Sequence, residues 1–429
     1  MGAAYPYRPL SRQSVAIAAF STIVEWYDFT LYLYLTTVLS RVFFGGGAAG
    51  MAHALATFAL AYLMRPLGAM AFGHIGDRYG RRPAMLLAMA LMTVAMLATA
   101  TLPTYADVGY VSGLALLGLR CAMAFSVGGE YTGVVAYLLE GAPRKRRGFM
   151  TSLAAAASEV GGLLAAGVSA VIVLVLSADD LVRWGWRVPF LIGGCLAGFV
   201  LLIRSTIEES PDFARQKAEG SVPERPLRHS LLRHKLAIAR GFAISALGSI
   251  TYYVGITYVP SFLTAVASMT ERDALLLSTI AAVAVIAITP IVGHWTDVVG
   301  RRPVLIVLAI ANLLLPIPLF SLMTSGEYGW ALGGAIILAC LGGAVSAAGA
   351  VATAEQFPGE GRLSGLAFGA TTATALFGGV TPYLAHQIIG ATGWSMVPGI
   401  MIALVSLCVL PVMIYMQETT ERSRGISRQ

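Results

Sequence analysis

Six ionisable residues interrupt long apolar stretches of this chain: Glu25, Asp28, Arg65, Arg120, Glu130 and Glu159. A charge in an apolar medium costs at least ~2.5–3.5 kcal/mol, so each of them needs a partner and a reason. Spacings of three and four residues place Glu25, Asp28 and Tyr32 on one helix face. Two carboxyls that close resist ionising together, which suits a group that takes up and returns a proton. Glu130 and Glu159 are further candidates for proton handling, and Glu159 is equally a candidate partner for Arg120. Arg120 offers a permanently charged fork of donors matched to a carboxylate. It is expected to pair with an acid of the first apolar stretch until an anionic solute competes for it. The freed acid then takes a proton, so proton and anion each favour the other's binding. Arg65 and Glu130 fall at similar depths and are expected to form a structural ion pair.

The elements that must hold these groups are membrane spans. The chain is 57% hydrophobic and only 12% charged, with a mean hydropathy of +0.75. Soluble domains carry about 25% charged residues. Lipid is therefore the natural solvent for the apolar excess, and a soluble enzyme is excluded. A bilayer-crossing helix needs ~20 mostly apolar residues. Twelve such runs are expected, at 15–39, 52–73, 84–103, 109–138, 149–176, 187–205, 237–262, 275–295, 303–323, 330–354, 364–388 and 395–416. Six precede and six follow a polar stretch. The expected organisation is an N-terminal six-helix bundle at 1–205, a cytoplasmic linker at 206–236 and a C-terminal six-helix bundle at 237–429. With both termini in the cytoplasm, 23 of the 29 Lys and Arg fall on the cytoplasmic side and four outside, as the positive-inside bias requires. The net charge of +7 is thus a topology signal rather than a nucleic-acid footprint. The four cysteines lie in apolar runs without CxxC spacing, so no metal site is expected. No GxxxxGK[ST] run is present, so no nucleotide cofactor is expected either.

One loop motif occurs twice. Gly73-His-Ile-Gly-Asp77-Arg78-Tyr-Gly80-Arg81-Arg82-Pro83 returns 220 residues later as Gly293-His-Trp-Thr-Asp297-Val-Val-Gly300-Arg301-Arg302-Pro303, with seven of eleven residues identical. Repetition on that scale means two similar halves. Gly76 and Gly80 permit a tight turn, and Pro83 suits the first turn of the span that follows. The positive start of that span is expected to face Asp77. Inside the spans the repeat is broken. The second half has no mid-span Asp, Glu, Lys or Arg and offers other polar groups instead, among them Tyr252, Tyr253, Thr371, Thr374 and His386. These tyrosines and threonines, with Arg120 and Tyr32 of the first half, are the candidate substrate contacts.

The repeated loop resembles the loop 2–3 signature of the major facilitator superfamily, G-x-x-x-D-R-x-G-R-R/K, with a weaker copy in loop 8–9. The resemblance implies an all-α integral membrane protein with twelve transmembrane helices in two bundles. It also implies that Asp77, Arg78, Arg81, Arg82, Asp297, Arg301 and Arg302 gate the protein by latching its halves. A set of motifs is similar to the metabolite:proton symporter family of citrate, α-ketoglutarate, shikimate and proline/betaine carriers. They are Glu25-Trp-Tyr-Asp28-Phe29, Arg65-Pro-Leu-Gly68, Gly128-Gly-Glu130, Trp184-Gly-Trp-Arg-Val-Pro-Phe190, Glu209-Ser-Pro-Asp-Phe213 and Glu355-Gln-Phe-Pro358 with Arg362. Thr374-Ala-Leu-Phe-Gly-Gly-Val-Thr-Pro382 is most similar to the citrate/tricarboxylate branch. Met123 and Ala124 stand where that family often has Gln-Gly, and Ala370-Thr371 where it has Tyr-Asn.

These readings predict a monomeric, multi-pass carrier of the bacterial inner membrane. It is expected to import a small organic acid, di- or tricarboxylate-like, together with protons by alternating access. The alternatives are a proton-coupled importer of zwitterionic osmolytes such as betaine or proline, and a non-transporting membrane sensor.

Overall fold

The computed structural model describes residues 10–419. The expected cytoplasmic termini, with Arg8 and the tail residues Arg422, Arg424 and Arg428, lie outside the described residues. All regular elements among the described residues are helical. Nine of these helices are long and apolar enough to cross a membrane, or eleven if each of two bent pairs counts as one span. The bent pairs are Lys235–Thr257 with Val259–Ala265, at 43°, and Arg301–Leu314 with Pro316–Met323, at 46°. A proline follows each break, at Pro260 and Pro316, and a proline cannot complete the preceding helical ladder. The helix Arg12–Tyr34 is 23 residues long but carries Glu25 and Asp28. It ends at Tyr34, earlier than the run 15–39 suggests, and after Leu35 a second helix, Thr36–Phe44, follows. The polar linker is not bare chain, since it forms the helices Pro211–Glu219 and Pro226–Arg233.

The chain forms two compact units. One is built from the described residues up to Gly141, Ala157–Leu227 and Gly359–Ala367; the other from Ala142–Ala156, Arg228–Pro358 and Phe368 onward. Residues 142–156 and 359–367 therefore join units other than those of their sequence neighbours. In the first unit, helix Val111–Gly141 packs against Met64–Arg78 and Arg81–Thr101, and Arg187–Arg204 packs against Arg81–Thr101 and Arg12–Tyr34. The second unit repeats the pattern: Tyr328–Glu355 packs against Glu271–Val299 and Arg301–Leu314, and Val397–Tyr415 packs against Arg301–Leu314.

Helices of the first unit approach closely where side chains are missing. A Cβ on Gly68 would lie 1.8 Å from the Phe125 carbonyl oxygen, and one on Gly128 would lie 2.1 Å from that of Arg65. This crossing sets the depth of Arg65 and of Glu130, two residues beyond Gly128. Small residues at such crossings are how membrane helices reach backbone contact. Gly128→Ala must push the helices apart, an overpacking cost of ~1–3 kcal/mol. It should lower the melting temperature of the detergent-purified protein; an unchanged melting curve would refute the contact.

Candidate functional site

The buried charges of the first unit separate into two groups. Arg120 donates to both carboxylate oxygens of Asp28, at 2.8 and 2.9 Å. Both residues are almost fully buried. The rings of Tyr32 and Phe190 lie 5.3 and 5.6 Å from the Arg120 guanidinium, a cation–π setting that favours the charge. The Tyr32 hydroxyl, a candidate substrate contact, donates instead to the Ala54 carbonyl at 2.8 Å.

Glu25 belongs to the other group. Its charged neighbours are Arg65, Glu130 and Arg204, not Arg120. The expected Arg65–Glu130 pair is corrected here: Glu130 is bound by Arg204, at 2.5 Å. Arg204 also donates to the Ser21 hydroxyl at 3.0 Å and to the Met85 carbonyl at 3.3 Å. Read in sequence, Arg204 looks like a cytoplasmic surface cation, because it closes an apolar run. The packing of Arg187–Arg204 against Arg12–Tyr34 and Arg81–Thr101 turns it inward, fully buried. The Arg65 guanidinium lies 4.7 Å from each of the Phe29 and Tyr62 ring centroids. Glu159 is buried on Arg147–Val175, within electrostatic range of Tyr34.

The second unit holds the neutral candidates. Tyr252 and Tyr253 meet edge to face, 5.4 Å apart. The Thr374 hydroxyl accepts from Ser249 at 2.9 Å, and Thr371 is buried. π-helical turns at Tyr253–Thr257, Ala367–Thr371 and Ala375–Gly379 interrupt the helices that carry these residues. Such turns concentrate at functional sites. Among the described residues, no group of three or more His, Cys, Asp or Glu side chains could hold a metal ion.

The repeated loops build equivalent networks. In the first unit, the Asp77 carboxylate accepts from the Leu363 and Ser364 backbone N–H groups at 3.2 and 2.8 Å, and from Arg81 at 3.0 Å. Arg81 also donates to Glu140 at 2.9 Å and to the Gly359 carbonyl at 2.9 Å. Arg362 donates to Glu140 at 2.6 Å and to Asp212 at 3.3 Å. In the second unit, Asp297 accepts from the Gly148 and Phe149 N–H groups at 2.8 and 2.9 Å and pairs with Arg301 at 3.1 Å. Arg301 and Arg147 meet Glu355 at 3.1 and 3.6 Å. Gly80 and Gly300 turn each loop with φ of 123° and 117°, a region that favours glycine. Arg78 and Arg82 reach only carbonyls, of Pro223 and Ser205.

One expectation about these loops is corrected. Asp77 does not face the start of the helix that follows it. Glu209 takes the Arg81 N–H at 2.9 Å and the Arg82 N–H at 3.2 Å, while Asp77 serves the helix that begins at Arg362. Glu418 does for Arg301 and Arg302 what Glu209 does for Arg81 and Arg82, at 3.1 and 2.8 Å.

A model of the Major Facilitator Superfamily matches residues 15–342 and 246–429. The chain belongs to the major facilitator superfamily. It is 31% identical over 422 residues to the proline/betaine transporter of Salmonella typhimurium, covering 96% of this chain and 84% of that one. It is 28% identical over 396 residues to the citrate-proton symporter of Klebsiella pneumoniae, covering 92% and 89%. Its fold matches that of the proton:xylose symporter XylE bound to 6-bromo-6-deoxy-D-glucose, with a TM-score of 0.81 at 19% identity, over 95% of this chain and 96% of that one. This superfamily member is a multi-pass secondary transporter, not an enzyme.

Several network residues of the transporter are not among the candidate site residues named from its sequence: Glu140, Arg147, Arg204, Glu209 and Glu418, although Glu209 stands in one of the quoted motifs. Two further internal repeats could have found four of them. Glu140-x-x-Pro143-x-x-x-Arg147 returns as Glu355-x-x-Pro358-x-x-x-Arg362, and Glu209-Ser210 returns as Glu418-Thr419. Arg204 has no such signal.

Glu209 lies outside the spans. Burial holds its carboxyl above the ordinary glutamate range, although the Ser210, Arg82 and Arg81 N–H groups and the Arg81 charge pull it down. The folded protein thus binds this proton more tightly than the unfolded chain does. The contribution of Glu209 to stability is greatest in acid and declines as pH rises from about 4.3, the ordinary glutamate value, through the raised one. Glu209→Gln should flatten that part of the pH–stability profile. Parallel profiles for the two proteins would overturn the assignment.

Proposed function

We propose that this transporter is a proton-coupled symporter that imports a small organic acid, di- or tricarboxylate-like, across the bacterial inner membrane by alternating access. The observation that carries the reading is the buried, two-point Arg120–Asp28 pair. A lone carboxylate or guanidinium at that depth is costly, so an anion that takes Arg120 favours proton uptake by the buried acids of the same helix. Arg120 is then the anion contact, and Tyr32, Tyr252, Tyr253, Thr371 and Thr374 are the further candidate substrate contacts. Glu25, Asp28, Glu130 and Glu159 are the candidates for proton handling. In this reading the helix Arg12–Tyr34 is the twelfth span, the termini are cytoplasmic, 1–205 and 237–429 form the two bundles, 206–236 is the linker, and the protein works as a monomer. The Asp77 and Asp297 networks serve as latches, with Arg81 and Arg301 at their centres and Arg78, Arg82 and Arg302 at their edges.

The test is uptake into proteoliposomes of labelled citrate, α-ketoglutarate, proline and glycine betaine, with and without an imposed proton gradient. Carboxylate accumulation that collapses with the gradient supports the proposal; gradient-independent equilibration overturns it. A zwitterionic osmolyte is the second reading. Two observations favour it: the similarity to a proline/betaine transporter, and the cluster of Trp26, Phe29, Phe58 and Tyr62 rings beside Arg65. Aromatic faces hold quaternary ammonium groups by cation–π attraction.

A further inference from the structure

Glu25 and Asp28 stand three residues apart on one helix yet meet opposite circumstances. Asp28 has both oxygens held by Arg120. Glu25 is 1% exposed, and its Oε2 is buried with no hydrogen-bond donor among the described residues. The charged and titratable groups around it come from each helix packed nearby. Tyr62 and Arg65 stand on the span Ala49–Arg78, Glu130 on Val111–Gly141 and Arg204 on Arg187–Arg204. Glu159, on Arg147–Val175, groups with Tyr34. The Arg204 terminal nitrogens serve Glu130, Ser21 and Met85, and the Arg65 guanidinium sits over two rings and 3.5 Å from the Tyr62 hydroxyl.

An ionised carboxylate oxygen buried without a donor is among the costliest arrangements a protein can hold. A carboxylic acid in the same place is not. It also avoids like-charge repulsion with Glu130, whose own Oε2 is buried without a donor. We propose that Glu25, rather than Asp28, carries the transported proton, and that Arg65 is the counter-charge it meets once the proton leaves. The proton enters from water onto a Glu25 carboxylate oxygen and departs to water on the other side. The negative charge left behind is balanced when the Arg65 guanidinium turns from the Phe29 and Tyr62 rings to the carboxylate. The two acids of the first helix thereby divide the work: Asp28 holds Arg120 ready for the anion, and Glu25 holds the proton. This rests on the symport reading above, but its test does not need a substrate.

The experiment is infrared difference spectroscopy of the full-length protein in lipid bilayers, carried through a pH titration. The wild type should show the carbonyl band of a buried, protonated carboxyl. Glu25→Gln should abolish the band, Asp28→Asn should keep it, and Glu25→Asp, which preserves the acid, should shift it without removing it. A band that survives in Glu25→Gln, one that vanishes in Asp28→Asn, or none in the wild type overturns the assignment. A parallel measurement counts protons with a pH dye trapped in proteoliposomes while labelled citrate or glycine betaine enters. Proton co-entry in Glu25→Gln should fall to background, and co-entry at the wild-type level overturns the proposal. If no probe brings protons in through the wild type, the symport reading fails, while the infrared band still decides where the proton sits.

Discussion

Arg120→Ala is expected to lower the affinity for an anionic substrate by roughly two orders of magnitude and to abolish accumulation against a gradient. Truncating one partner of a buried, hydrogen-bonded charge pair costs ~2–5 kcal/mol, and each ~1.4 kcal/mol is tenfold in binding. Arg120 lies at the demanding end of that range. It is 5% exposed, it grips Asp28 at two points, and the rings of Tyr32 and Phe190 flank it. Arg120→Lys keeps the charge but loses the planar fork, so it should fall between alanine and the wild type. Asp28→Asn removes the competitor for Arg120; it should still bind the anion, but release of Arg120 from a carboxylate no longer gates that binding. Labelled-citrate binding and gradient-driven uptake in proteoliposomes check both. If Arg120→Ala and Asp28→Asn proteins both accumulate substrate normally under an imposed pH gradient, the Arg120–Asp28 scheme is wrong.

Asp77→Asn should open the first network far more than Arg78→Ala does. Asp77 accepts three bonds to a charged oxygen pair, from Leu363, Ser364 and Arg81. Hydrogen bonds to a charged group contribute ~1.5–3 kcal/mol each. Losing even one such bond shifts a two-state equilibrium about tenfold or more. Arg78 makes a single 3.4 Å bond to a carbonyl. The equivalent Asp297→Asn should have a smaller effect. Arg147 stands 3.6 Å from Glu355 with a 22% exposed side chain, whereas Glu140 is fully buried between Arg81 and Arg362. The measurement is labelling of Leu363→Cys by a membrane-impermeant maleimide, in a background without the native cysteines. Two of those, Cys195 and Cys408, are exposed. Faster labelling in Asp77→Asn supports the latch, and an unchanged rate counts against it.

The two networks also show where a repeat informs and where it misleads. Asp77 and Asp297 were legible as a pair, because the motif is local and nearly identical in both copies. The acceptor role of Asp77 toward a helix start is legible too, but the helix is not. The N–H groups the two aspartates satisfy lie 286 and 287 residues away for Asp77, and 149 and 148 for Asp297. The nearer helix starts are served by Glu209 and Glu418, about half a chain away from each other but in equivalent places. Nothing in the spacing around Asp77 distinguishes these outcomes.

Span length, hydropathy and the charge of a side chain are properties of the chain alone. The sequence by itself therefore determined that this is a membrane protein of two similar halves. It also determined that Glu25, Asp28 and Arg120 interrupt long apolar runs, and that such mid-run Asp, Glu, Lys and Arg residues are confined to the first half. Partnership depends on how each helix is rotated and where it crosses its neighbours, and only the tertiary structure decided that. It gave Glu130 to Arg204, 74 residues away, and set Arg65 over aromatic rings. It also separated Glu25 from Asp28. The reason is rotational. Two acids three residues apart are offset by ~60° around a helix, enough for one to face Arg120 and the other to face the cluster where a proton has a reason to stay.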